Sequence, residues 1–218
     1  MRSRSGFRVQ RFKVWLKTFE PRNLEPRTLN LQMKGNLEPM NLNNLFLIGY
    51  RCTGKSSVGR FLAEELNWSF TDTDSLLVAQ QRMSIKEMVG AHGWEGFRQM
   101  ERVVLKSICA SGGQVVATGG GIVLNDKNVM RMKKSGRIIW LRARLETIKA
   151  RMLKDKDSRE FRPALTLDNS ISEIEETLHS REPIYDNAMD FLVDTDDYDI
   201  GAIAEFIIER LKALNPER

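Results

Sequence analysis

The chain has little of what metal centres and disulfide frameworks are made from. It contains two cysteines, Cys52 and Cys109, with no CxxC or Cys/His spacing, and two isolated histidines, His92 and His179. This scarcity points away from a structural zinc and toward a reducing compartment. Cys52 reads as a small filler, and both histidines as surface residues. No apolar run approaches the ~20 residues that a membrane span needs, so no transmembrane segment is expected. Acidic residues are missing from the first 19 positions, and residues 1–40 carry nine Lys/Arg against three Asp/Glu. The formal charge of +5 therefore belongs to this end, since the remainder has a net charge of −1. It gives no ground for a nucleic-acid-binding core.

Residues 1–42 have no sustained hydrophobic period and repeat Asn-Leu-Glu-Pro at 23–26 and 36–39. Such a composition builds no packed core. Three readings remain: a basic disordered extension, a stretch left untranslated because synthesis starts at Met40, or a targeting presequence. Glu20, Glu25 and Glu38 disfavour the last. The other residues, 43–218, suffice for one α/β domain, and a chain that is 41% hydrophobic and 29% charged has the balance of a soluble globular protein.

The domain is organised around Gly49-Tyr50-Arg51-Cys52-Thr53-Gly54-Lys55-Ser56, which follows the apolar run Leu45–Ile48 and opens a helical pattern to Leu66. Two glycines, a lysine and a hydroxyl at this spacing arise by chance in about one chain of this length in a hundred. With a strand before and a helix after, the stretch reads as a phosphate loop. Its glycines let successive N–H groups converge on an anion at a helix N-terminus. Lys55 then reaches the β and γ phosphates, and Ser56 offers its hydroxyl to Mg²⁺.

Short β-like runs alternate with helical patterns from Leu45 onward, which predicts an α/β fold. We expect a five-stranded parallel sheet with helices on both faces and ligands at the carboxyl ends of the strands. The predicted strands are Leu45–Ile48, Trp68–Thr71, Val115–Thr118, Arg137–Leu141 and Phe191–Val193, the fourth expected to be central because it is nearly all apolar. Ser84 and Glu87 form a capping box, Asn125 caps another helix, and Trp94–Cys109 is amphipathic. Residues 155–168 are charged and aperiodic, a candidate mobile lid.

Asp72-Thr73-Asp74 closes the second strand, so both carboxylates can face one site. The plain alternative is a turn with a helix cap. Gly119-Gly120-Gly121 follows the third strand. Three glycines there are costly unless something, such as a substrate, approaches the main chain; the alternative is a flexible turn.

Together with Phe97-Arg98-Gln99-Met100-Glu101, Arg162-Pro163-Ala164-Leu165 and Arg181-Glu182-Pro183-Ile184-Tyr185, these motifs resemble the shikimate kinases, small P-loop proteins of the nucleoside monophosphate kinase group, over roughly residues 43–212. The resemblance implies transfer of the γ-phosphoryl group of ATP to the 3-hydroxyl of shikimate, in aromatic amino-acid (chorismate) biosynthesis. Asp74, Lys55 and Arg162 are the implied catalytic residues. Gly49, Arg51, Cys52, Thr53, Gly54, Lys55, Ser56, Ser57, Arg151 and Arg162 would bind the nucleotide, Arg151 by stacking on adenine. Asp74, Arg98, Gly119, Gly120, Gly121 and Arg181 would bind shikimate, with Glu101 orienting Arg98. Ser56 and Asp72 would hold Mg²⁺, Asp72 through water. The resemblance also implies a cytoplasmic protein, expected to be a monomer, without nucleic-acid or membrane partners.

The chain departs from the family at Cys52, where a third loop glycine is usual, and at Met88, where an aromatic commonly lines the shikimate pocket. Trp94 stands in place of an acid, and the lid between Arg151 and Arg162 is a few residues longer than usual. A gluconate-type kinase and an idle nucleotide-binding module are the competing readings.

Overall fold

The structure, a computed structural model, describes residues 44–154 and 170–214, the side chains of 170–172 excepted. The expected extension (1–42), the expected lid (155–168) and Arg162 lie outside the described residues. Along the chain come β1 (Asn44–Ile48), α1 (Lys55–Leu66), β2 (Ser69–Asp72), α2 (Thr73–Gln81), α3 (Ile85–Ile108), β3 (Gln114–Ala117), a 3-10 turn (Ile122–Leu124), α4 (Asp126–Ser135), β4 (Arg137–Arg142), α5 (Leu145–Lys154), α6 (Ser170–Ala188), β5 (Phe191–Asp194) and α7 (Ile200–Leu214). Each strand lies within one or two residues of its predicted place.

An apolar run such as Leu45-Phe46-Leu47-Ile48 is stable as a strand only with both faces covered. Successive side chains of β1 accordingly enter two different cores. Leu45 and Leu47 pack with Val58 and Leu62 of α1 and with Ile203 and Ile207 of α7. Phe46 and Ile48 pack with Leu77 of α2, Leu105 of α3, Met132 of α4 and Tyr185 of α6.

The five strands are parallel in the order β2-β3-β1-β4-β5. The centre is therefore β1, not β4 as its composition predicts. Apolar content reports coverage on both faces, and β4 is covered as completely as β1 while lying one place from the edge.

The helix starts follow the sequence. Ser84 Oγ accepts the Glu87 N–H at 3.2 Å while Glu87 accepts the Ser84 N–H at 2.7 Å, and Asn125 accepts the Lys127 N–H at 3.0 Å. Within α3, Gly93 leaves helical geometry with φ 66° and ψ 175°. The capped segment and the amphipathic segment from Trp94 are thus two arms of one bent element.

Register brings the site to one edge. Asp72 lies beside Ala117, and Ala117 beside Leu47, so the chain leaves β2, β3 and β1 at the same level. Cross-links fix that level: the Thr118 N–H and hydroxyl both donate to the Leu47 carbonyl, at 3.1 and 3.0 Å. The Gly119 N–H donates to Thr73 Oγ1 at 2.8 Å.

Candidate active site

The loop after β1 turns in left-handed conformations that favour glycine, at Gly49 (φ 136°) and Gly54 (φ 95°). Gly49 is required twice over, because a Cβ there would collide with the Leu141 carbonyl oxygen. Cys52 takes φ 60° without being glycine, which carries a strain cost in this region. Buried Thr53 donates its hydroxyl to the Tyr50 carbonyl at 2.9 Å, and Lys55 Nζ donates to the Gly49 and Tyr50 carbonyls at 2.9 and 2.6 Å. The loop thus leaves N–H groups and the α1 N-terminus as its outward chemistry.

Ser56, in the first turn of α1, donates its hydroxyl to Asp72 Oδ2 at 2.7 Å. The other oxygen of Asp72 accepts the Asp74 and Ser75 N–H groups at 3.1 Å each. Asp72 is therefore a helix cap and a partner of the loop at once. A hydroxyl and a carboxylate side by side form an oxygen-only donor set, suited to a hard cation such as Mg²⁺.

Beside the loop lies a cavity of about 290 Å³ whose walls include Arg51, Asp74, Trp94, Arg98, Glu101, Gly119, Gly120, Gly121 and Arg181. Arg98 and Glu101, one turn apart on α3, form an ion pair in which the carboxylate is buried and the guanidinium partly exposed. Burial pushes the Glu101 carboxyl above its ordinary range, and Arg98 opposes that shift. The Arg98 guanidinium also lies 5.6 Å from the centre of the Trp94 ring and 5.4 Å from that of Phe97. On α6, Tyr185 donates to the Gly120 carbonyl at 2.6 Å, and Arg181 Nη1 approaches the same oxygen at 3.5 Å. Tyr185 is stacked on Trp140 at 5.5 Å, and burial pushes its phenol up to about 12.

The glycine triplet makes room for side chains. A Cβ on Gly119 would lie 2.6 Å from Asp74 Oδ1 and 2.9 Å from Glu101 Oε1, and one on Gly121 would overlap the Arg98 guanidinium. What comes close to this main chain is thus the charged machinery of the cavity itself.

The structure therefore brings the loop, Asp72, Asp74, Arg98, the triplet and Arg181 around one crevice. Arg151 lies beside the loop rather than in the cavity, donating from Nη1 to the Cys52 carbonyl at 3.2 Å and to Thr195 Oγ1 at 3.0 Å. Met88, where the resemblance implies a pocket-lining aromatic, is wholly buried in the core and is not part of the cavity wall. Trp94 takes a place in the cavity wall instead. A larger cavity of about 570 Å³, between α6 and the ends of β4 and β5, includes Thr53 and His179 but none of Lys55, Asp74 or Arg98. The smaller cavity holds the convergent charges.

Tyr185 is legible in the sequence only as part of a motif, although its i,i+4 spacing from Arg181 puts both on one helical face. Arg51, expected at the nucleotide, also lines the cavity.

Residues 51–212 match the family model described as shikimate kinase. The chain is 38% identical over 167 residues to the shikimate kinase of Caldanaerobacter subterraneus, covering 77% of this chain and 95% of that one. It is 37% identical over 174 residues to that of Thermodesulfovibrio yellowstonii, covering 80% and 98%. Among solved structures, the shikimate kinase of Acinetobacter baumannii in complex with shikimate superposes with a TM-score of 0.75 at 27% identity, covering 82% of this chain and 97% of that one.

Proposed function

The chain belongs to the shikimate kinase family, and from that premise we propose how its residues divide the work of moving the γ-phosphoryl group of ATP to the 3-hydroxyl of shikimate. The enzyme phosphorylates shikimate at the expense of ATP, a step of aromatic amino-acid biosynthesis. The loop from Gly49 to Ser57 receives the triphosphate on its N–H groups, with Lys55 spanning the β and γ phosphates. Ser56 and Asp72 would hold Mg²⁺, which would neutralise phosphate charge. Arg98 and Arg181 grip the shikimate carboxylate through their planar forks, and Glu101 holds Arg98 in place. Main-chain groups of the triplet border the ring.

Asp74 receives the proton of the 3-hydroxyl as its oxygen forms the new bond to phosphorus and the bond to the β-phosphate oxygen breaks, releasing ADP. Arg162 steadies charge between the β and γ phosphates, and Arg151 flanks the adenine. Positioning and charge neutralisation supply most of the acceleration.

The observation that carries this reading is the shared wall: Asp74, Arg98 and Arg181 line one cavity, and that cavity borders the phosphate loop at Tyr50 and Arg51. An ADP-release assay with shikimate, with gluconate and without acceptor tests it. Turnover is expected with shikimate alone. Turnover with gluconate only, or equal release in all three, rejects it.

We assign the kinase to residues 43–218, acting as a cytoplasmic monomer, and expect deletion of residues 1–39 to leave turnover unchanged. No helix among the described residues is long and apolar enough to cross a membrane.

A further inference from the structure

Phosphoryl transfer carries a negatively charged group from one site to the other, and among the described residues Lys55 is assigned to the donor end and Arg98 and Arg181 to the acceptor end. Lys55 is held at the loop by the Gly49 and Tyr50 carbonyls, while Arg98 is paired with Glu101 on α3. Arg51 belongs to the loop that carries Lys55 and lines the cavity that holds Arg98. It is the residue at which the phosphate loop meets the cavity: its N lies 3.8 Å from where a Cβ on Gly120 would sit, and it lines the cavity together with Asp74. Its guanidinium lies 5.7 Å from the centre of the Tyr50 ring. Its Nε is buried and has no hydrogen-bond partner among the described residues. A buried guanidinium nitrogen without an acceptor is costly, and a guanidinium that lines the cavity with no ion-pair partner among the described residues offers its charge to an oxyanion there.

We propose that the Arg51 side chain is a catalytic group that donates to the phosphoryl oxygens during transfer and to the phosphate monoester of the product. It is thus distinct from the loop N–H groups that receive the nucleotide and from the arginines that grip the acceptor carboxylate. The assignment rests on the shikimate kinase reading and deepens it. Because the contact forms as the phosphoryl group leaves ADP, its loss falls on kcat rather than on either KM.

The test uses the full chain with Arg51→Met, which keeps the stem and removes the fork, and Arg51→Lys, which keeps the charge. R51M is expected to lose about 100-fold in kcat, with KM for ATP and shikimate little changed. Calorimetry should show affinity for shikimate 3-phosphate falling about tenfold while that for shikimate holds. R51K should recover part of both losses.

An equal fall in affinity for shikimate and its phosphate places Arg51 on the ring and overturns the proposal. So does weakened ATP binding at unchanged kcat, or a variant that behaves like the parent. If R51M does not fold, R51K decides: reduced kcat at unchanged KM supports the assignment, and parental kcat removes it. A parent enzyme without shikimate turnover sinks the proposed function itself, whereas an active parent matched by R51M sinks the role of Arg51 alone.

Discussion

The phosphate loop and the acceptor cavity adjoin at Tyr50 and Arg51, yet they are built in opposite ways. The loop is a run of consecutive residues that offers many main-chain N–H groups, and two of its side chains tie it to itself: Thr53 and Lys55 bond loop carbonyls. The cavity draws charged side chains from α2, α3 and α6 onto a strip of glycine, and almost every partner is distant in sequence. Backbone sites fail through changes in chain geometry; side-chain sites fail one contact at a time. Damage to the loop should therefore appear as lost nucleotide binding and stability, and damage to the cavity as selective loss of acceptor use.

The largest expected effect is that of Asp74→Asn, which should cut turnover by about 10³-fold and leave ATP affinity intact by calorimetry. A parallel loss of ATP affinity would erase the distinction between the two regions.

Next comes a pair of matched glycine substitutions. Gly49→Ala forces a Cβ onto the Leu141 carbonyl at a left-handed φ, so both ATP affinity and melting temperature should fall. Gly121→Ala meets only the far end of Arg98, so the chain folds while KM for shikimate rises by roughly tenfold or more. Similar profiles for the two variants would break the contrast.

Glu101 sharpens it through pH. Burial raises its carboxyl above the ordinary 4.5, so the folded protein binds this proton more tightly than the unfolded chain. Its contribution to stability is hence fully present below 4.5 and lost as pH rises through the raised value. In acid, protonation releases Arg98 sooner than at an ordinary carboxylate. KM for shikimate should therefore climb at a pH above 4.5, and Glu101→Gln should flatten that climb. A profile unchanged in E101Q would separate Glu101 from acceptor binding.

Smallest is Tyr185→Phe, which removes one hydrogen bond to Gly120 and keeps the stack on Trp140. It should cost about 1 kcal/mol in unfolding measurements, with a small rise in KM for shikimate and none for ATP.

Legibility in the sequence followed the same division. The strand, loop and helix around Lys55 were readable because their signals are local, as were the caps at Ser84 and Asn125. Asp72 caps α2 through one oxygen, as the plain reading of Asp-Thr-Asp has it, and accepts from Ser56 through the other, since a carboxylate has two. The central place of β1, the burial of Met88 and the place of Trp94 in the cavity wall were not readable. Each depends on which strands become neighbours or on the bend at Gly93, and composition carries neither.

Two kinds of glycine in this chain would be sorted differently by a mutational survey and by a dihedral plot. Gly113 takes φ 71° with open space around it, so an asparagine, which tolerates that conformation, should be accepted. Gly119 and Gly121 lie outside the left-handed region, and a plot would pass them as replaceable, yet they are crowded by Asp74, Glu101 and Arg98. For library design, the positions to protect are those where an absent methyl group is what lets three charges share a few ångströms of chain.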